Sequence, residues 1–476
     1  MTSSTTAEHK RTMADLLTRQ RDAFLASEIP GVGQRREKLA VLRAAILAFK
    51  TELKDAINQD FGHRSRYETD IFELSVVLQS IDYLSRRLPR FMKSERRHVH
   101  WTSKSGQAYV EYQPLGVIGI IAPWNYPVLL TLIPLATALA AGNRVMVKPS
   151  ELTPVTSEVL SKMLASVFSP EEVTVVQGGP EVGAEFSHLA FDHLLFTGST
   201  QVGHHIMRAA SDNLVPVTLE LGGKSPVIIS KGHVNQQNVD RIVFGKLANG
   251  GQTCVAPDYA LIHEDDLAEF IKQYSASVAR SYPDGPLSRD YTSIINERHY
   301  QRLMGLLEQA RGHGATVTEV GRQPESAARR LRTIAPTIVT GVSDELDIMQ
   351  QEIFGPLLPI KTYRNLDEVI QFVNARPRPL ALYYFGNRDN ECDTVLRRTT
   401  SGNVGINTTV LHVAQDDLPF GGVGASGMGA YHGIEGFRAM SHAKGTFVQG
   451  RYSLPAMLRA PFGKLADMTL AYMFRR

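Results

Sequence analysis

Between Gly116 and Gly203 the chain alternates short, continuous apolar runs with segments of helical length. The runs are Gly116–Ala122 (GVIGIIA), Arg144–Lys148 (RVMVK), Val173–Val176 and His193–Thr197 (HLLFT), and helical stretches begin at Pro127, Pro154 and Thr200. A strand with one wet face alternates apolar and polar side chains. A strand apolar throughout is covered on both faces, and in an alternating series that means a parallel sheet with helices above and below. The spacing therefore predicts a doubly wound α/β domain, which binds its ligand outside the carboxyl ends of its strands.

A second series follows: Val227–Ser230, a helix over Asn235–Asn249, Tyr259–His263, a helix over Leu267–Arg280, then Leu358–Tyr363 and Ala381–Phe385. It predicts a second α/β domain, and 476 residues at 43% hydrophobic content leave room for two or three cores of roughly 150 residues each. Ahead of both, Leu39, Leu42, Ile46, Phe49, Leu53 and Ile57 recur at helical steps and predict one covering helix ending near Gly62. Gln107–Gln113 (QAYVEYQ) alternates as a strand with one buried face. The glycine-rich Pro419–Gly429 reads as a tight ordered loop.

Several function classes drop out. A net charge of +3 with no block of like charges gives nucleic acid no footing. Two cysteines cannot build a disulfide framework, and no C-x-x-C or H-E-x-x-H spacing suggests a metal. The N-terminus lacks the apolar core of a signal peptide. Val128–Ala141, the longest apolar stretch, is broken by Pro134 and falls short of the ~20 residues a bilayer needs, so a cytoplasmic protein without membrane association is expected. Asp60-Phe61-Gly62 is the magnesium triplet of kinases, but no other kinase motif accompanies it.

The residues that could carry chemistry are individually ambiguous. Phe196–Gly203 (FTGSTQVG) runs from a buried strand into a helix whose free N–H groups suit a phosphate, yet it fits neither a P-loop nor G-x-G-x-x-G and, taken alone, reads more readily as an ordinary strand-to-helix turn. Lys148 and Glu151 leave the end of a strand, where they could hold ribose hydroxyls or merely start the next helix. Asn125, between Pro123 and Pro127, has its amide fixed in direction, as an oxyanion donor requires and as a simple turn also permits. Glu220 ends a strand beside Gly222 and Gly223. Cys254 stands among glycines and small polar residues, an odd setting for a buried thiol, while Cys392 has no supporting constellation.

Together, PWNYP, KPSE, FTGST, ELGGKSP, GQTC, EIFGP and PFGGVGASGMG, in this order from about Leu39 to Gln449, resemble the aldehyde dehydrogenase superfamily. Within it, DFGHRSRYETD, YTSIINERHY, RPRPLALYYFG and LHVAQDDLPFGG are similar to the coniferyl aldehyde dehydrogenases. The resemblance implies two doubly wound α/β domains plus a small β element. A cofactor domain would comprise 1–96 and 115–221, a catalytic domain 222–427, and an oligomerisation element with a C-terminal tail 97–114 and 428–476.

It further implies that Cys254 attacks the aldehyde, that the Asn125 amide and the Cys254 N–H hold the oxyanion, and that Glu220 activates the water that hydrolyses the thioester. NAD, with NADP possible, would meet Pro123, Trp124, Lys148, Glu151, Gly198, Ser199, Val202, Leu221, Gly222, Glu352 and Phe354. Tyr126, His412 and Phe420 would line the substrate pocket, no metal would be held, and Gly250 and Gly251 would keep room for aldehyde and nicotinamide. A homodimer is implied through the Gln107–Gln113 strand, with the tail after Gly450 docked on the subunit surface. Three other readings stay open: an aliphatic aldehyde as substrate, acyl transfer to coenzyme A, and a non-catalytic structural relative.

Overall fold

The computed structural model describes residues 2–321, 332–451 and 459–475, with side chains from residue 12 onward. The first sheet has the strand order Gly427–Met428, Val217–Leu221, His193–Gly198, Val117–Ile121, Arg144–Lys148, Val173–Val175, all parallel except Gly427–Met428. From the central strand Val117–Ile121 the chain first adds strands on one side, then crosses to add His193–Gly198 on the other. That reversal opens a crevice at the carboxyl ends of the two strands, between Ala122–Trp124 and Gly198–Ser199. The helix Leu129–Ala141, which connects the central strand to Arg144–Lys148, is buried along its whole length.

The second sheet runs Thr316–Glu319, Thr337–Thr340, Leu357–Tyr363, Tyr259–His263, Pro226–Ile229, Ala381–Phe385, Asn403–Ile406, parallel but for its first pair. Three of these strands, Thr316–Glu319, Thr337–Thr340 and Asn403–Ile406, escape the apolar-run reading because they are short and lie toward the sheet's edges. A third, antiparallel sheet joins Glu95–Arg97, Gln107–Pro114 and Ser441–Val448. Gly427–Met428, at the expected boundary between the second unit and the tail, belongs to the first sheet.

The expected single N-terminal helix is two, Val32–Ala48 and Lys50–Phe61. Phe49 leaves helical geometry, yet it donates to Ala45 and accepts from Leu53, so the apolar stripe continues across the kink. Gly62 closes the second helix in the left-handed region. Asp60 caps another helix, Pro154–Ala165, by accepting from the N–H groups of Val155 and Thr156 at 3.1 and 2.8 Å. The kinase-like triplet is thus a side-chain cap for one helix, at Asp60, and the stop of another, at Gly62. Among the described residues no helix is long and apolar enough to cross a membrane. Of the tail, 452–458 lie outside the described residues; the helix Lys464–Phe474 rests the Tyr472 ring against Trp101 at 6.1 Å.

Candidate active site

Four loops from the two large sheets converge. The turn Pro123–Pro127 follows the central strand of the first sheet, and Glu220 ends a neighbouring strand. The segment Ala248–Val255 follows the helix Gln236–Leu247, and Glu352–Pro356 precedes the strand Leu357–Tyr363.

The cysteine loop is shaped by its backbone. Asn249, Gly250 and Gly251 take φ of 53°, 62° and 77°, a left-handed run that only glycine and asparagine sustain cheaply. The glycines do not keep room for ligands, as expected from the sequence. A Cβ on Gly250 would stand 2.9 Å from the Thr292 carbonyl oxygen, and one on Gly251 2.3 Å from that of Gly355. Their task is close packing of loop on loop. Gln252, fully buried, fastens the loop further: its amide donates to the carbonyls of Asn249 and Ser293 and accepts from the Ile295 N–H.

Cys254 emerges half-buried into a cavity of about 120 Å³ lined by Phe72, Val76, Tyr126, Leu130, Phe244 and Phe420 among others. Burial, then the Glu352 and Glu220 carboxylates, push its thiol up to about 12, so it rests as the neutral thiol. Glu220 is buried with neither carboxylate oxygen bonded, and burial drives its pKa well above the ordinary range. A buried, unpartnered carboxyl is costly to a fold and is characteristic of a reacting group. The Asn125 amide donates to the Gln252 carbonyl at 3.1 Å, using one of its two N–H donors.

The residues expected to meet a dinucleotide gather along the crevice of the first sheet. Ser199 caps the helix Thr200–Ser211 by accepting from the Val202 N–H, and Gly198 ends the adjoining strand. Lys148 is buried at the end of its strand, donates to the Pro149 carbonyl at 2.8 Å and lies 3.8 Å from the half-exposed Glu151. Burial holds the ammonium below its usual range. Leu221 donates to the Ser426 carbonyl, tying the strand to the glycine-rich loop. A Cβ on Gly222 would sit 2.0 Å from a Glu352 oxygen, so glycine is required there for the Glu352 carboxyl to lie across the strand end. Burial and Asp258 raise that carboxyl to about 8. Phe354 takes φ 52° and meets Trp124 edge-on at 5.3 Å, joining the two units. A helix N-terminus at a switch point, with Lys148 and Glu151 at a strand end on the other side of the central strand, fits a bound dinucleotide. Among the described residues no cluster could hold a metal ion.

Of the expected pocket residues, Tyr126 and Phe420 line the cavity; His412 does not. Its ring lies one layer back, 5.8 Å from Tyr383 and 6.1 Å from Phe420, with both nitrogens unbonded. His432, also unbonded, stacks on Phe420 at 5.0 Å.

Missed from the sequence are three buried charges in the segment 64–73. Arg64 donates to Glu73 at 2.7 Å and to the Asn125 carbonyl at 3.2 Å. Glu68 accepts from the Asn249 N–H at 3.0 Å and from the Thr292 hydroxyl. The sequence carried little signal for them: the apolar Tyr67 and Ile71 of this segment are exposed while the charges point inward, and a π-helical turn over Asp70–Leu74 shifts the helical phase.

A sequence profile described as the aldehyde dehydrogenase family matches residues 4–446. The chain is 46% identical over 456 residues to a coniferyl aldehyde dehydrogenase of a Pseudomonas species, covering 95% of this chain and 94% of that one. Among solved structures it resembles a substrate-bound Staphylococcus aureus AldH, with a TM-score of 0.91, 36% identity, and 97% and 99% of the two chains covered. It also resembles a Mycobacterium tuberculosis aldehyde dehydrogenase complexed with NAD+, with a TM-score of 0.81, 27% identity, and 92% and 89% covered. The paired α/β sheets, the half-buried thiol at their junction and the match across nearly the whole chain make this protein a member of the aldehyde dehydrogenase family.

Proposed function

We propose that the protein oxidises an aromatic aldehyde of the coniferyl type to its carboxylic acid, with NAD as the preferred cofactor. The observation that carries this reading is the Cys254 thiol opening into a narrow, largely apolar cavity with aromatic walls, within electrostatic reach of the unpartnered Glu220 carboxyl. The name of the Pseudomonas relative supports the aromatic substrate. Cys254, once deprotonated, adds to the carbonyl carbon, and the remaining N–H of Asn125 and the Cys254 backbone N–H hold the oxygen as it gains charge. Bound NAD supplies the hydride acceptor. The acyl group is then left on the Cys254 sulfur, and Glu220 takes a proton from the water that releases it as the acid.

Cofactor binding belongs to the unit 1–96 with 115–221, which also lends Asn125 and Glu220 to the reaction, the nucleophile to the catalytic unit 222–427, and self-association to 97–114 with 428–476, where the exposed Phe447 and Val448 on the third sheet support a homodimer. Glu151, with Lys148, faces the adenine ribose and disfavours a 2′-phosphate. The proposed mechanism needs Cys254 as a free thiol, which a reducing, cytoplasmic setting preserves. A comparison of kcat/KM for coniferyl, cinnamyl, benzyl and medium-chain aliphatic aldehydes, with NAD and with NADP, tests the assignment. Coniferyl aldehyde with NAD should lead; hexanal ahead of it by about tenfold, ~1.4 kcal/mol of differential transition-state binding, would overturn the substrate class.

A further inference from the structure

We propose that Arg64 is a positioning residue for the oxyanion site, acting through the Asn125 carbonyl. Its side chain is fully buried, and its guanidinium lies over the rings of Phe61 and Tyr126, 5.2 and 4.8 Å from their centroids. Nη1 donates to Glu73 Oε1 at 2.7 Å and to the Asn125 carbonyl at 3.2 Å, while Nε and Nη2 have no partner. The second Glu73 oxygen takes the N–H groups of Val128 and Leu129 at 2.8 and 3.0 Å, at the start of the helix that follows the Asn125 turn.

A buried ion pair gives a fold no more stability than packed apolar side chains would, and one with two unbonded N–H groups gives less. What it supplies, and an apolar pair cannot, is a directed donor at the Asn125 carbonyl. That carbonyl also accepts from Asn249 Nδ2 at 2.9 Å, and the Asn249 N–H in turn donates to Glu68 at 3.0 Å. The bonds therefore run Glu73, Arg64, Asn125, Asn249, Glu68, starting and ending in one short segment that grips a turn of the first unit and the cysteine loop of the second. Asn125 and Cys254 contribute the two oxyanion donors from these two elements, so their spacing is set by this chain of bonds. The same segment places Ile71 and Phe72 on the cavity wall.

The proposal rests on Cys254 as nucleophile and Asn125 as donor, and the test separates the two. In the parent enzyme, alkylation of one thiol per chain should abolish turnover; survival of activity would sink the nucleophile reading rather than the role of Arg64. Arg64→Met and Arg64→Lys are then compared per titratable Cys254, so that unfolded protein does not count. Arg64→Met should lose about 100-fold in kcat, the scale of an ångström-size misplacement, with the aldehyde KM moved less than about threefold, and Arg64→Lys should fall between. Arg64→Met within about twofold of the parent, or a loss confined to KM, would overturn the proposal. If Arg64→Met does not accumulate folded, Glu73→Gln carries the test, since it keeps the volume and an acceptor but releases the guanidinium. It should show the same kcat-selective loss, and an unchanged kcat would overturn the proposal.

Discussion

Replacing Asn125 with alanine separates catalysis from packing. The Asn125 amide donates to the Gln252 carbonyl at 3.1 Å, and that carbonyl also accepts from Asn249 Nδ2 at 3.1 Å. Truncation therefore orphans no buried acceptor there, and the stability cost is that of one ordinary hydrogen bond, about 0.5–1.5 kcal/mol. The backbone carbonyl of residue 125 still takes Arg64 and Asn249, so the turn keeps its anchors. The catalytic cost is larger, because a fixed donor at a developing oxyanion contributes about 2.7–4 kcal/mol, or 100 to 1000-fold in rate. The thermal midpoint should move little while kcat and kcat/KM for NADH formation fall together by about two to three orders of magnitude, since the donor acts only as charge develops. A variant with kcat within about threefold of the parent would refute the oxyanion role. A large drop in midpoint with normal turnover per folded thiol would make Asn125 a structural residue.

Burial favours the neutral forms of Cys254, Glu220 and Glu352, with Glu352 at about 8 and Cys254 at about 12, so kcat/KM should climb as pH rises from about 6.5 to 9. A flat profile across that window would contradict the assignment. His412 and His432 are held down to about 4 and about 3 by burial, whereas unfolded histidine titrates near 6.5. Their folded pKa values are depressed, so the unfolded chain binds more protons, and stability should fall as pH drops from about 6.5 toward 4, by roughly 2 kcal/mol per histidine at pH 5. Denaturant melts of His432→Leu should lose less on acidification than the parent, and an equal loss would refute the linkage. Gly251→Ala combines φ 77° with a Cβ 2.3 Å from the Gly355 oxygen, so it should cost more than the ~1–2 kcal/mol of left-handed strain alone and abolish turnover. Full activity with an unchanged melting point would show that the loop yields.

The sheets were legible because strands such as Val117–Ile121 and Tyr259–His263 are buried on both faces and so read as continuous apolar runs. Thr316–Glu319, half exposed at a sheet edge, carries no such run. Cys254 drew notice as a thiol among glycines, but the purpose of Gly250 and Gly251 depended on Thr292 and Gly355, distant in sequence and adjacent only after folding. Arg64, Glu68 and Glu73 look like surface charges in a one-dimensional reading. Their partners lie far along the chain: the Asn125 carbonyl for Arg64, the Asn249 N–H and Thr292 hydroxyl for Glu68, and the Val128 and Leu129 N–H groups for Glu73. His412 was placed in the pocket from its loop, and the ring turns instead behind Phe420.

The central claim is that oxidation passes through an acyl group on the Cys254 sulfur. Rapid quenching of Glu220→Gln with NAD and coniferyl aldehyde, followed by peptide mass measurement, tests it directly. The expected result is one burst of NADH per active site and an acyl adduct on the peptide containing Cys254, persisting because its hydrolysis lacks the Glu220 base. NADH formed with no adduct on that peptide, or sustained turnover by Cys254→Ala, would contradict it.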